Sequence, residues 1–119
     1  MTRYEIFEYV NEQYGTQPEY LWEKTPDAAV LRNIANAKWY AIVMNVSKKS
    51  LGLNGEGKVD IINVKCDPLI VGSLRIQKGF LPAYHMNKDN WISIILDGGA
   101  SDSLILELLD ASYDAVAGR

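Results

Sequence analysis

The sequence contains one cysteine, Cys66, and one histidine, His85, among its 119 residues. A lone thiol excludes an internal disulfide and fits a reducing compartment. One histidine, one cysteine and scattered carboxylates match no zinc-type ligand spacing, so neither a metal nor a cofactor is expected. Nucleotide signatures are missing as well. Gly52, Gly55 and Gly57 share a loop but lack the lysine–serine ending that lets a glycine-rich turn cradle phosphate. There is no Gly-x-Ser-x-Gly elbow for a serine hydrolase. Cys66 and His85 would need to meet for thiol chemistry, yet Cys66 directly precedes a helix N-cap, where a small half-buried residue is ordinary. No catalytic residue is assigned, and the expectation is a protein that is not an enzyme. Long apolar runs are also absent, and none approaches the ~20 residues of a membrane helix. The opening Met1-Thr2-Arg3-Tyr4-Glu5 enters an acidic amphipathic pattern without an apolar signal core. The expected setting is cytoplasmic, without a membrane partner, and the expected state is a monomer.

Hydrophobic residues at 48% and charged residues at 23% describe one globular domain over residues 1–119 that is large enough to bury a core. The net charge of −3 argues against a protein built wholly around nucleic acid. The charge is uneven, however. Residues 45–91 hold seven basic side chains (Lys48, Lys49, Lys58, Lys65, Arg75, Lys78, Lys88) against four acidic ones (Glu56, Asp60, Asp67, Asp89), between two acidic ends.

Thr2 followed by Glu5 reads as a capping box opening a first helix. Ile6, Phe7, Val10 and Tyr14 supply its apolar stripe and Gly15 its left-handed stop. Strand-like runs follow at 20–22, 28–31, 39–46 and 58–65. In the 39–46 run, Tyr40, Ile42, Met44 and Val46 alternate with Trp39, Ala41 and Val43. Both faces are apolar, which predicts a central strand. The glycine-rich connection 47–57, basic at its start, is expected to project as an arm. Asp67-Pro68 opens a second helix, with Leu69, Ile70 and Leu74 on its apolar side and its end near Lys78-Gly79. A last strand runs from Trp91 to Leu96. Ser101 or Asp102 then caps a final helix through Ala117, with Leu104, Ile105, Leu108, Leu109, Tyr113 and Val116 facing the core and Gly118 just past it. The expected architecture is α+β, a two-layer domain with an antiparallel sheet and helices packed on one face.

The run from Tyr84 through His85, Met86, Asn87 and Lys88 to Trp91 concentrates aromatic, imidazole, amide and thioether groups that are expensive to bury unpaired. With Asn63-Val64-Lys65-Cys66-Asp67-Pro68, Leu96-Asp97-Gly98, Ser112-Tyr113 and, more loosely, the opening helix and Lys38-Trp39-Tyr40-Ala41, it makes the chain resemble the MmcQ/YjbR family of small bacterial proteins. The resemblance spans nearly the whole sequence. It implies a fold related to frataxin-like and secretion-chaperone-like domains, and a DNA-binding role through hairpin arms shaped like a double wing. Asp89 stands where family members often place a second basic residue.

Two functional expectations follow. In the first, Lys48, Lys49, Lys58, Arg75, Lys78 and Lys88 meet DNA phosphates if they share a face, while Tyr84, His85, Asn87 and Trp91 contact a base or another planar ligand. In the second, the chain is a protein-interaction or chaperone-like adaptor, which an exposed apolar patch would favour. Against a ligand role for the 84–91 run stands a structural one. There His85 and Asn87 bond backbone groups to pin the loop, Trp91 is mostly core, and His85→Ala costs stability more than affinity.

Overall fold

Thr2 and Glu5 form the expected capping box: the Thr2 hydroxyl accepts from the Glu5 N–H, and the Glu5 carboxylate accepts from the Thr2 N–H. They start α1 (Arg3–Tyr14), which Gly15 ends at φ 66°, a left-handed conformation that costs glycine little. The computed structural model describes residues 1–117, so Gly118 lies outside the described residues. After α1 come β1 (Ala29–Arg32), β2 (Trp39–Ser47), β3 (Lys58–Lys65), α2 (Pro68–Arg75), β4 (Phe80–Pro82), β5 (Trp91–Ile95) and α3 (Asp102–Val116). The strands form one antiparallel sheet in the order β1-β2-β3-β5-β4.

All three helices lie on one face. Ile6 and Val10 of α1, Val71 and Leu74 of α2, and Ile105, Leu109 and Val116 of α3 share one apolar core with alternate residues of the strands. Those strand residues are Ala29 and Leu31, Ala41 and Val43, Ile62 and Val64, Ile92 and Ile94. This is the α+β, two-layer arrangement that the element order predicts.

Polar contacts tie the layers together. Ser112 of α3, fully buried, donates to the Tyr40 carbonyl at 2.5 Å and accepts from the Lys65 N–H at 2.8 Å. One hydroxyl thereby serves a backbone group on each of two strands. Arg3, the first residue of α1, is buried beside Ile6 and Val10. Its Nε and Nη2 donate to the two Asp60 oxygens at 3.0 and 2.9 Å, and Nη1 donates to the Asp27 carbonyl at 2.7 Å.

Several expectations need correction. Residues 20–22 are not a strand. Glu19 alone bridges to Val30, and Trp22 instead packs edge-on to Trp39. The short strand β4 was not anticipated, because Pro82 argues against a strand. As the outermost strand of the sheet it tolerates a residue without an N–H. On α2 the buried side is Val71 and Leu74, while Leu69 is 90% exposed, and the helix stops at Arg75.

The alternation along β2 also breaks. Leu31 faces Ala41 but Arg32 faces Trp39, so Tyr40 is an extra residue on β2, a bulge. The bulge exchanges the roles of two aromatics. Tyr40 turns to the helices, edge-on to Tyr14 and Tyr113, with its hydroxyl donating to Thr16 Oγ1 at 2.7 Å. Trp39 joins Ile42 and Met44 on the opposite face.

Candidate functional site

The helix-free face of the sheet is not bare. Val30, Ile42, Val46 and Ile61 are buried there, and the segment around Trp22–Thr25 before β1 and the Tyr84–Met86 turn between β4 and β5 border part of the face. Between those segments lies a cleft of about 270 Å³. Ile42 and Met44 of β2 form its floor. Trp22 and Trp39 make one wall, edge-to-face with ring centroids 5.7 Å apart, and Arg32 caps the Trp39 ring with its guanidinium carbon 5.9 Å from the centroid. Tyr84 and His85 make the other wall as a stacked pair, 3.9 Å apart and 13° from parallel. Thr25 and Met86 complete the lining.

The wall of Tyr84 and His85 is held from beneath. Asn63 of β3 and Ser93 of β5 face each other across the sheet, both fully buried. The Ser93 hydroxyl donates to Asn63 Oδ1 at 2.5 Å and accepts from the Tyr84 N–H at 2.9 Å. Asn63 Nδ2 in turn donates to the Tyr84 carbonyl at 2.9 Å. Both backbone groups of Tyr84 are thus satisfied by side chains, just beyond the point where the β4 ladder ends at Pro82. The chain then turns through His85 at φ 57°, a left-handed conformation uncommon outside glycine.

Of the four ligand candidates in this run, the fold brings only Tyr84 and His85 to the cleft. The Asn87 side chain accepts from the Asp89 N–H, and its carbonyl accepts from Asn90 and Trp91, which closes the turn. Trp91 is half-buried at the start of β5 and lies outside the cleft lining. His85 is exposed, and among the described residues its ring forms a stack and no hydrogen bond. The expected pinning of the loop is therefore performed by Asn87, Asn63 and Ser93.

Trp22, Thr25, Trp39, Met44, Met86, Asn63 and Ser93 were missed as site residues. A signal existed for two of them: Asn63 between Ile62 and Val64, and Ser93 between Ile92 and Ile94, are polar residues directly flanked by apolar ones. Cys66 sits apart from His85, in a separate cleft beside Pro68, Ile70 and Leu108. Burial, with the Asp67 charge beside it, pushes its thiol up, opposite to the activation a nucleophile needs.

The basic side chains do not form one stripe. Lys48, Lys49 and Lys58 lie together at the base of the β2–β3 arm, where Ser47 pairs with Lys58 and the Lys48 N–H donates to the Gly57 carbonyl at 3.0 Å. Lys78 lies toward the same end of the sheet but beside its far edge, its stem against Gly99. Arg75 and Lys88 meet at the opposite end, where the Arg75 guanidinium donates to the Lys88 carbonyl. The length of β3 separates the two groups, on the order of 20 Å at ~3.3 Å per residue. No helix among the described residues is long and apolar enough to cross a membrane.

Comparison with known proteins covers almost the whole fold. The chain is 47% identical over 113 residues to the uncharacterized protein YyaQ of Bacillus subtilis, spanning 95% of this chain and 96% of that one. It is 40% identical over 53 residues to the uncharacterized protein YjbR of Escherichia coli K12, 44% of this chain and 45% of that one. A crystal structure of a protein from Pseudomonas syringae superposes with a TM-score of 0.94 at 42% identity, covering 97% of this chain and 98% of the other. The Deinococcus radiodurans protein DR2400, of domain DUF419, shares the fold at TM-score 0.74 and 22% identity, with 99% and 80% covered. The YjbR family model matches residues 11–115, from the end of α1 through nearly all of α3, and the chain belongs to that family.

Proposed function

We propose that the chain is a non-enzymatic nucleic-acid-binding domain that engages DNA phosphates through the β2–β3 arm. The observation that carries this reading is the grouping of Lys48, Lys49 and Lys58 where the two sides of the arm meet. Among the described residues, none of the three is taken up in an ion pair. Ammonium groups on this hairpin can approach a phosphate backbone, Lys58 doing so from beside the Met1–Tyr4 end of α1. Such contacts supply affinity and position, and they carry no sequence code. Arg75 and Lys88, at the other end of the sheet, lie outside this contact. A fluorescence polarisation titration of a labelled duplex at low salt tests the proposal. Binding by the wild type and its loss in Lys48→Glu/Lys49→Glu are expected, and absence of wild-type binding ends it.

The adaptor reading has its own support. The helix α2 and the turn after it expose Leu69 at 90%, Ile76 at 87% and Ile70 at 43%. Exposed apolar groups of this size favour a protein partner over solvent. Leu69→Glu with Ile76→Glu would abolish such an association and leave duplex binding intact.

A further inference from the structure

We propose that the cleft between Trp22, Trp39, Tyr84 and His85 is a binding site for a neutral, planar heteroaromatic molecule of one or two fused rings. The inference is independent of the DNA reading, since the arm lysines do not line this cleft. Size sets the first limit. At about 270 Å³ the cleft lies just below the ~300–1,000 Å³ of ordinary small-molecule pockets, which suits a compact ring system better than an extended cofactor.

The lining sets the second limit. The lining residues carry no carboxylate, ammonium or guanidinium group, and the Arg32 guanidinium over the Trp39 ring is already paired with Glu19, so a charged ligand would lose its hydration there with little compensation. Four aromatic side chains and the thioethers of Met44 and Met86 instead favour a π-face. The Thr25 hydroxyl and the His85 imidazole are polar groups able to meet heteroatoms at a ring's edge.

The backbone gives a third argument. His85 is exposed, yet it is held at positive φ by a buried pair that fixes both backbone groups of the residue before it. Asn63 and Ser93 stand on different strands, and together they place the Tyr84–His85 stack opposite the tryptophan wall. An unfavourable conformation held by such a network is the usual mark of a positioned side chain. Trp22 remains 38% exposed beside it, leaving aromatic surface in water that a stacked ring would cover.

The three tryptophans make the test specific, because Trp22 and Trp39 line the cleft and Trp91 does not. Their indole N–H signals would be followed by ¹⁵N-edited NMR while quinazolin-4-one, indole-3-carboxamide or quinoxaline is added. At least one of these probes should shift Trp22 and Trp39 saturably and leave Trp91 in place. The anion 1-naphthoate should bind about fivefold more weakly or worse. The variant His85→Gly removes the imidazole and suits the positive φ, so its melting temperature should hold or rise while probe affinity falls about fivefold. The proposal is overturned if no probe gives a saturable shift, if all three tryptophans respond alike, or if His85→Gly binds like the wild type. A ten-residue single strand of deoxyadenosine provides the remaining arm. A response to that strand and to none of the free rings would assign the cleft to an unstacked base and reject the small molecule.

Discussion

The hydroxyl of Ser93 donates to Asn63 Oδ1 across neighbouring strands, and together the two side chains take up both backbone hydrogen-bonding groups of Tyr84. A loop that leaves the sheet at Pro82 is thereby held against the sheet's face. Asn63→Ala would leave the Tyr84 carbonyl without its partner and cost about 1–3 kcal/mol. In thermal melts this is a drop of about 4 °C per kcal/mol for a domain of this size. A double-mutant cycle with Ser93→Ala should give a coupling of at least about 0.5 kcal/mol, and amide exchange at 84–87 should accelerate in both single variants. Additive effects with unchanged exchange would show that the pair does not hold the loop.

Arg3 and Asp60 join α1 to β3 and should make the protein sensitive to acid. Burial acts to raise the Asp60 carboxyl, but the hydrogen bonds from Arg3 and Asn45 and the Arg3 charge outweigh it, and the group is held below the usual carboxylate range. With the folded value depressed, the contribution is complete above the unfolded value of about 4 and is lost as pH falls through the lower folded value. Arg3→Ala should cost about 2–3 kcal/mol near neutral pH, because Asp60 loses its partner in a half-buried setting. Asp60→Asn should flatten the fall in denaturation midpoint below about pH 4. An acid limb identical to that of the wild type would remove Asp60 from the explanation.

At the other extreme of pH, the tyrosines between α1 and α3 become the weak point. Tyr9 and Tyr14 both donate to Asp110, and Tyr14 stacks on Tyr113 at 3.7 Å. Burial, then the Asp110 hydrogen bond and charge, pushes Tyr9 up to about 12 and raises Tyr14 as well. Burial also pushes Tyr40 up to about 12. The folded state therefore keeps protons that the unfolded chain releases near pH 10, so stability is full below about pH 10 and is lost toward 12. Urea midpoints measured between pH 8 and 12 should hold to about pH 10 and then fall steeply, and Tyr14→Phe should make the fall shallower. A midpoint independent of pH up to 12 would contradict the arrangement.

Duplex binding through the arm should carry a countable salt dependence. Three lysine–phosphate contacts give a slope of about −2.7 in log K against log salt, a loss of about 40-fold between 50 and 200 mM. Lys58→Ala should reduce the slope by about 0.9. Arg75→Ala and Lys88→Ala should leave it unchanged, since they lie at the other end of β3. A slope that falls equally in all three variants would mean that the arm is not the contact.

Local chemistry was legible wherever a residue acts on its immediate neighbours. Thr2 and Glu5 capped α1, Asp67 and Pro68 opened α2, and Ser101 capped α3, because a cap needs only the next few residues. The 58–65 strand matched the reading to the residue. The apolar side of α2 was misread because Leu69, Ile70 and Val71 are equally apolar. Only the position of β4 and β5 decides that Val71 faces inward.

The sequence by itself determined the order of the main elements, their caps and the separation of a basic middle from acidic ends, all properties of spacing and composition. The tertiary structure decided which distant residues share a surface. A one-residue bulge exchanged Tyr40 and Trp39 between the faces of β2, because side chains alternate with a period of two and a single insertion reverses them. The strand order set Asn63 beside Ser93 and Trp39 opposite His85, and the length of β3 divided the basic residues between two ends. Those pairings depend on register and chain path across tens of residues, which no local pattern encodes.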